Sequence, residues 1–159
     1  MEKGLDKVYL TRLKELYAME KEQAQLLPVL LRYTTNKELR AAIKEHWYDT
    51  QRHFSRCIEI MRRYGDANVT ASVSEPMKKL LEEAHALVLQ GNEEHAANLT
   101  MILQKIEHLE IASYSSAIMC AKILGYKSDG VILQKSLDEE YDQDNRLEKI
   151  SEEIFMALV

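Results

Sequence analysis

The stretch Lys105–Tyr114, KIEHLEIASY, lies in the middle of a long amphipathic pattern. Leu99, Leu103, Ile106, Glu110, Ser113, Ala117, Cys120 and Leu124 follow one another at spacings of three and four. Such spacing traces one face of an α-helix. The face is apolar except at its centre, where Glu110 stands with Glu107 one turn before it. An ionised carboxylate on a core stripe is costly unless a positive charge meets it. Glu110 therefore needs a cation, either a basic side chain or a metal ion.

Three more long helical patterns surround this one. Helix C, which carries the stretch, is expected over about 93–124 and is closed by Gly125. Helix A is expected over about 5–33, with the stripe Leu10, Leu13, Tyr17, Glu20, Ala24, Leu27, Leu31 and a bend or early end at Pro28. Thr35 with Glu38 forms a capping box for helix B, about 37–64, which stops at Gly65. The stripe of helix B is Leu39, Ile43, His46, Thr50, His53, Cys57, Ile60, Tyr64, with Asp49 one turn from both histidines. Helix D, about 129–157, follows Leu133, Leu137, Glu140, Asp144, Leu147, Ser151, Ile154, Leu158. Between B and C, residues 66–74 show no period. A connecting helix of about 76–90 then starts behind Ser74 and Pro76 and ends at Gly91. The expected architecture is a single all-α domain over 1–159: a four-helix bundle with a long B–C crossover containing a short extra helix.

Composition agrees with that class. In 159 residues, 46% hydrophobic and 30% charged, five glycines and two prolines leave little room for a turn-rich β fold. The net charge is −5 and no basic run exceeds Arg62–Arg63, which argues against nucleic acid as a partner. No stretch approaches the ~18 apolar residues of a membrane span. The opening MEKGLDKVYL lacks the apolar run of a signal peptide. Cys57 and Cys120 fall at core positions and read as buried free thiols, so a reducing cytoplasm is the expected location. Met101, Met119 and Met156 read as fillers of irregular core gaps.

At a rise of about 1.5 Å per residue, the interior acids of all four helices reach one layer near mid-bundle. The halves also echo each other. Glu20 maps onto Glu110 at an offset of 90, and Asp49 and His53 map onto Glu140 and Asp144 at 91. A lone glutamate on a stripe is usually a helix-end residue or an arginine partner. Four helices broken at the same height point instead to metal. Clustered carboxylates in a dry layer repel, and either take up protons or hold cations. Oxygen donors with one or two imidazoles suit iron or manganese, and a pair of ions balances four to six acids. The expected ligands are Glu20 and Glu110 as single, bridging acids, with Asp49, His53, Glu140 and Asp144 as the paired ligands. Glu107, His46, Tyr17, Thr50 and Glu139 are candidate additional or supporting groups. The one literal Glu-x-x-His, Glu82 with His85, lies in the connecting helix and reads as a decoy.

The segments LKELYAMEKEQAQLLP, ELRAAIKEHWYDTQRHFSRC, MKKLLEEA, QKIEHLEIASY and LDEEYDQDNRLEKI resemble, in order and spacing, the YciE/YciF-like ferritin-like proteins. The resemblance implies a rubrerythrin-like bundle, a homodimer, a dinuclear metal site and a link to bacterial stress responses, without supplying a reaction. Glu20, Glu110, Glu140 and Asp144 fall on the family's acidic positions. Asp49 stands where glutamate is more usual, and His53 where histidine or glutamine occurs. Compared with ferritins and rubrerythrins proper, both Glu-x-x-His pairs are altered and no Cys-x-x-Cys exists for a rubredoxin centre. The expected function is stress protection by a di-iron or di-manganese protein handling peroxide or ferrous iron, with oxidoreductase or peroxidase-like chemistry open. The alternative is a metal-free dimeric structural or interaction protein, in which Arg52, Arg56, Lys105 or Arg146 would have to turn inward.

Overall fold

The structure is a computed structural model that describes residues 4–65, 70–89 and 94–159. It contains α1 (Gly4–Tyr33), α2 (Lys37–Arg63), α3 (Glu75–Val88), α4 (His95–Leu124) and α5 (Lys127–Met156), and no strand among the described residues. The stop expected at Gly91 and the start expected at residue 93 lie outside these residues.

Local chemistry accounts for the helix ends. Asn36, rather than Thr35, caps α2: its side chain accepts from the Leu39 amide at 3.0 Å. The asparagine side chain reaches a free first-turn N–H one residue later than the capping box predicts. Gly65 and Gly125 close α2 and α4 with φ of +73° and +79°, a left-handed conformation that suits residues without a Cβ. Pro28 does not end α1, which continues to Tyr33. Its ring is accommodated within the turn, and the Thr34 amide and hydroxyl both reach Leu30 O behind it.

Packing runs α1 against α2, α2 against α5, α5 against α4 and α4 against α1, so the four long helices close a ring around one core. The fifth helix, α3, lies across α1 and α4 and buries Met77, Leu81, Ala84 and Val88. Consequently α4 is covered on three sides, by α1, α3 and α5, and buries much more than a narrow stripe.

This arrangement corrects parts of the sequence reading. The buried row of α1 is Tyr9, Leu13, Leu16, Glu20, Gln23, Leu27 and Leu30, while Leu10, Tyr17, Ala24 and Leu31 are half-buried. On α4, Tyr114 is buried and Ser113 is half-buried, its hydroxyl bonded back to Leu109 O. Met101, Met119 and Met156 are exposed, not core fillers, because they project from the outer faces of α4 and α5.

Candidate metal centre

Six polar side chains from all four long helices meet inside this ring. Glu20 comes from α1, His46 and His53 from α2, Glu107 and Glu110 from α4, and Glu140 from α5, and every one is at most 1% exposed. Their ligand-type atoms fall into two groups, each with all atoms within 4.8 Å of one another: His46, Glu107, Glu110 and Glu140; and Glu20, His53 and Glu140. Glu140 belongs to both.

The contacts are close but most are not hydrogen bonds. His53 Nδ1 lies 2.7 Å from Glu140 Oε1 and 3.4 Å from Glu20 Oε1. His46 Nδ1 lies 3.0 Å from Glu107 Oε1 and its Nε2 3.9 Å from Glu140 Oε2. Yet both nitrogens of His46, Nδ1 of His53 and both oxygens of Glu107, Glu110 and Glu140 lack an aligned hydrogen-bond partner. Buried polar groups are ordinarily satisfied, so a concentration of orphaned donor atoms in one place calls for an explanation. Lone pairs aimed at shared points between the side chains, rather than at each other, provide one.

Electrostatics gives the same picture. Burial, then the charges of Glu140 and its neighbours, raises the pKa of Glu107 and of Glu110 well above the ordinary carboxylate range. Burial raises Glu20 as well, against the opposing pull of His53. Burial also acts to raise Glu140, but the nearby His53, and after it the charge of His46, outweigh it and hold Glu140 low. Desolvation pushes His46 down to about 4. Desolvation works the same way on His53, where the carboxylates of Glu20, Glu139 and Glu140 prevail and bring it up to about 12. Without cations, the layer therefore retains protons in their place.

Supporting groups surround the six. Tyr114 donates to Glu20 Oε1 at 2.5 Å, and its ring meets the His53 ring edge-on at 6.0 Å. Gln23 is buried beside Glu110 and favours its charged form. Thr50 is fully buried with an unpartnered hydroxyl. His53 Nε2 lies 2.8 Å from Glu139, which is itself held by the Arg56 guanidinium. A second partner of this kind fixes a histidine's tautomer and ring orientation, here with Nδ1 facing inward.

The placement of the predicted residues is mixed. Glu20, His53, Glu110 and Glu140 come together, and His46 and Glu107, expected only as supporting groups, stand at the centre. Asp49 does not: it is one step of about 100° off the buried row of α2, half-buried, and paired with Arg52. Asp144 sits at the edge, with Oδ2 accepting from His108 at 3.1 Å and the other oxygen buried toward Glu107. Gln143, not Asp144, follows the buried row of α5 and reaches Ala42 O. Tyr17 does not reach a ligand; it stacks on Phe54 at 4.9 Å. Glu139 faces His53 and Arg56, beside the six. Sequence reasoning missed Tyr114 and Gln23. Their signals, Tyr114 one turn after Glu110 and Gln23 three residues after Glu20, were present but hidden by a one-residue error in each stripe. Glu82 and His85 are exposed on α3 and belong to neither donor group.

No helix among the described residues is long and apolar enough to cross a membrane, and Cys57 and Cys120 are both buried free thiols.

Comparison with known proteins gives consistent answers. Residues 4–158 match the model of a domain family of unknown function, DUF892. The chain is 30% identical over 147 residues to the protein YciF of Escherichia coli K12, covering 91% of this chain and 89% of that one. The crystal structure of the E. coli stress protein YciF superposes with a TM-score of 0.88 at 28% identity, over 97% of this chain and 98% of that one. YcfI of Rhodopseudomonas palustris, described as a putative structural protein, shares the fold with a TM-score of 0.80 at 23% identity, over 92% and 94% of the two chains. With its helices, their order and its sequence accounted for over nearly the whole length, the chain belongs to the DUF892 family of YciE/YciF-like proteins.

Proposed function

We propose that this is a ferritin-like protein holding two divalent iron or manganese ions, with a role in stress protection. The observation that carries the reading is the pair of donor groups sharing Glu140, with most of their atoms unpartnered. His46, Glu107 and Glu110 would hold one ion and Glu20 and His53 the other, with Glu140 available to both. Four carboxylates balance two divalent charges, which removes the main cost of burying them. The donors are oxygen and imidazole without thiolate, a set that suits iron and manganese. When bound, such a pair supplies redox and Lewis-acid chemistry toward peroxide or ferrous iron.

The chain's own part is organisation. Arg56 and Glu139 orient His53, Tyr114 steadies Glu20, and the apolar ring excludes water. Asp144 and Asp49 stay outside the donor set. Stress protection extends to this chain the description of its E. coli relative, and a homodimer in the cytoplasm completes the proposal.

The second reading, a metal-free dimeric structural or interaction protein, draws on Arg56. That residue turns in toward Glu139 and is only 14% exposed along its side chain, and protons on Glu107 and Glu110 would neutralise the layer without metal. Elemental analysis of protein purified without chelator separates the two. About two equivalents of iron or manganese, lost in a Glu20→Ala, Glu110→Ala double variant, support the first reading. Protein that stays metal-free after incubation with either ion establishes the second. Peroxide turnover by loaded protein then tests for an enzyme.

A further inference from the structure

One face of α5 looks into the core, and the opposite face carries a pattern of its own. Val131, Lys135, Asp138 and Asp142 follow one another along that outer face at spacings of three and four. Asn145, Lys149, Glu152 and Met156 continue the row, and all eight residues are exposed. Val131 and Met156, at its two ends, are 73% and 71% exposed. Charges on the flanks of α5 pair off within the chain: Glu139 with Arg56, Asp144 with His108 and Arg146 with Glu45. Those of the outer row do not. Lys135, Asp142, Lys149 and Glu152 form no ion pair among the described residues, and Asp138 accepts from the neutral amide of Gln134.

Taken from its two ends inward, the row is its own complement. An apolar residue stands at each end; then come Lys135 and Glu152, then Asp138 and Lys149, then Asp142 and Asn145, at the same steps from either end. Laid antiparallel on a second copy of itself, the row sets each charge against an opposite charge or a neutral amide. Laid parallel, it stacks lysine on lysine and acid on acid, which is unfavourable. The ends supply apolar surface. Val131 borders a groove of about 700 Å³ with Ile118 and Tyr126, rimmed by Lys122, Lys127 and Lys135. Gly130 leaves the groove floor bare, with nothing within 4 Å of where a Cβ would stand. The other end of α5 is the converse: Phe155, Met156 and, beyond the helix, Leu158 are exposed beside Glu152 and Glu153. Val131 and Met156 lie about 38 Å apart along one helix, so only a second copy can bring groove and apolar end together.

We infer that the outer face of α5 is a self-complementary docking surface for a second copy of this chain. The two α5 helices run antiparallel about a two-fold axis, and the last turn of each seats in the groove of the other. Val131 meets Met156, Lys135 meets Glu152 and Asp138 meets Lys149. Each pairing occurs twice, so the contact is isologous and closes on two copies. Exposed ion pairs add little affinity. Their part is to fix direction and register, while burial of the apolar ends supplies the attraction. The inference gives a surface to the homodimer proposed above and rests on that part of the reading, not on the metal.

Exchanging two exposed charges tests the surface on the full-length protein, with analytical ultracentrifugation as the readout and circular dichroism to verify the fold. Lys135→Glu and Glu152→Lys, each alone, place like charges at both symmetry-related contacts. Each should raise the dimer dissociation constant about tenfold or more. Mixed one to one, the two variants should regain wild-type affinity as a heterodimer, since each supplies the charge that the other lacks. Lys44→Glu, an exposed charge on α2, should behave as wild type. A dissociation constant unchanged in both α5 variants, or variants that fail to recover on mixing, would overturn this surface and leave the homodimer standing. A wild-type chain that stays monomeric at high concentration would overturn surface and homodimer together. Neither result bears on the metal reading, which elemental analysis decides.

Discussion

Thermal stability under metal titration offers a demanding test of the shared carboxylate. Ions that bind only the folded chain at about 100 times Kd add about 2.7 kcal/mol per site. For a chain of this size each kcal/mol moves Tm by about 2–4 °C, so one occupied site is worth about 5–11 °C and two about twice that. Glu140 belongs to both donor groups, whereas Glu20 and His53 belong to one and His46, Glu107 and Glu110 to the other. Glu140→Gln should therefore abolish both increments, while Glu20→Gln should remove about half of the wild-type shift and leave the rest. The assay is calorimetry on chelated protein across a series of free Mn²⁺ concentrations, each variant being referred to its own metal-free Tm. That reference cancels whatever the substitution does to the apo fold. A wild-type Tm insensitive to Mn²⁺ and Fe²⁺ would refute binding at the layer. A Glu140→Gln shift as large as that of wild type would refute the sharing.

Other consequences can be checked directly. Asp129→Ala leaves the Tyr9 and Tyr64 hydroxyls without their acceptor, and urea unfolding should show a loss on the order of 3 kcal/mol. Gly125→Ala has open space for its Cβ but must hold φ at +79°, so it should cost about 1–2 kcal/mol by the same measurement, from backbone strain alone. Glu139 titrates low in the folded protein, at about 2: burial opposes this, and the bonds to His53 and Arg56 prevail. Its folded-state value lies below the unfolded one, so its contribution is complete above the ordinary glutamate range and is lost as pH falls toward about 2. Glu139→Gln should therefore lower the neutral plateau of a stability-versus-pH curve and flatten its acid limb in that window, with the two proteins converging toward pH of about 2.

How much was legible in the sequence differs between fold and site. Helix positions, the stops at Gly65 and Gly125, and the presence of acids at mid-stripe follow from local pattern, because periodicity and φ preference are properties of short segments. The row on α2 was readable residue by residue: Leu39, Ile43, His46, Thr50, His53, Cys57 and Ile60 are all buried. Among the described residues that helix packs mainly against α1 and α5, and its buried face follows one row. Asp49 was drawn into the site by spacing to the histidines, a criterion that ignores its angular position. On α1 the polar Gln23 and the apolar Leu10 and Tyr17 misled the count by one position.

The sequence by itself determined that four long helices each carry polar groups at mid-height, and that those groups, buried together, must be neutralised by protons or by cations. Only the tertiary structure decided which of them meet. Adjacent positions on a helix differ by about 100°, so Asp49 or Thr50, Ser113 or Tyr114, Gln143 or Asp144 are separated by a rotation that periodicity alone does not fix. The rotation is set by how many neighbours a helix has. Because α4 is covered by α1, α3 and α5, its buried face is wide enough to enclose both Glu107 and Glu110, and with them the donors that complete the layer.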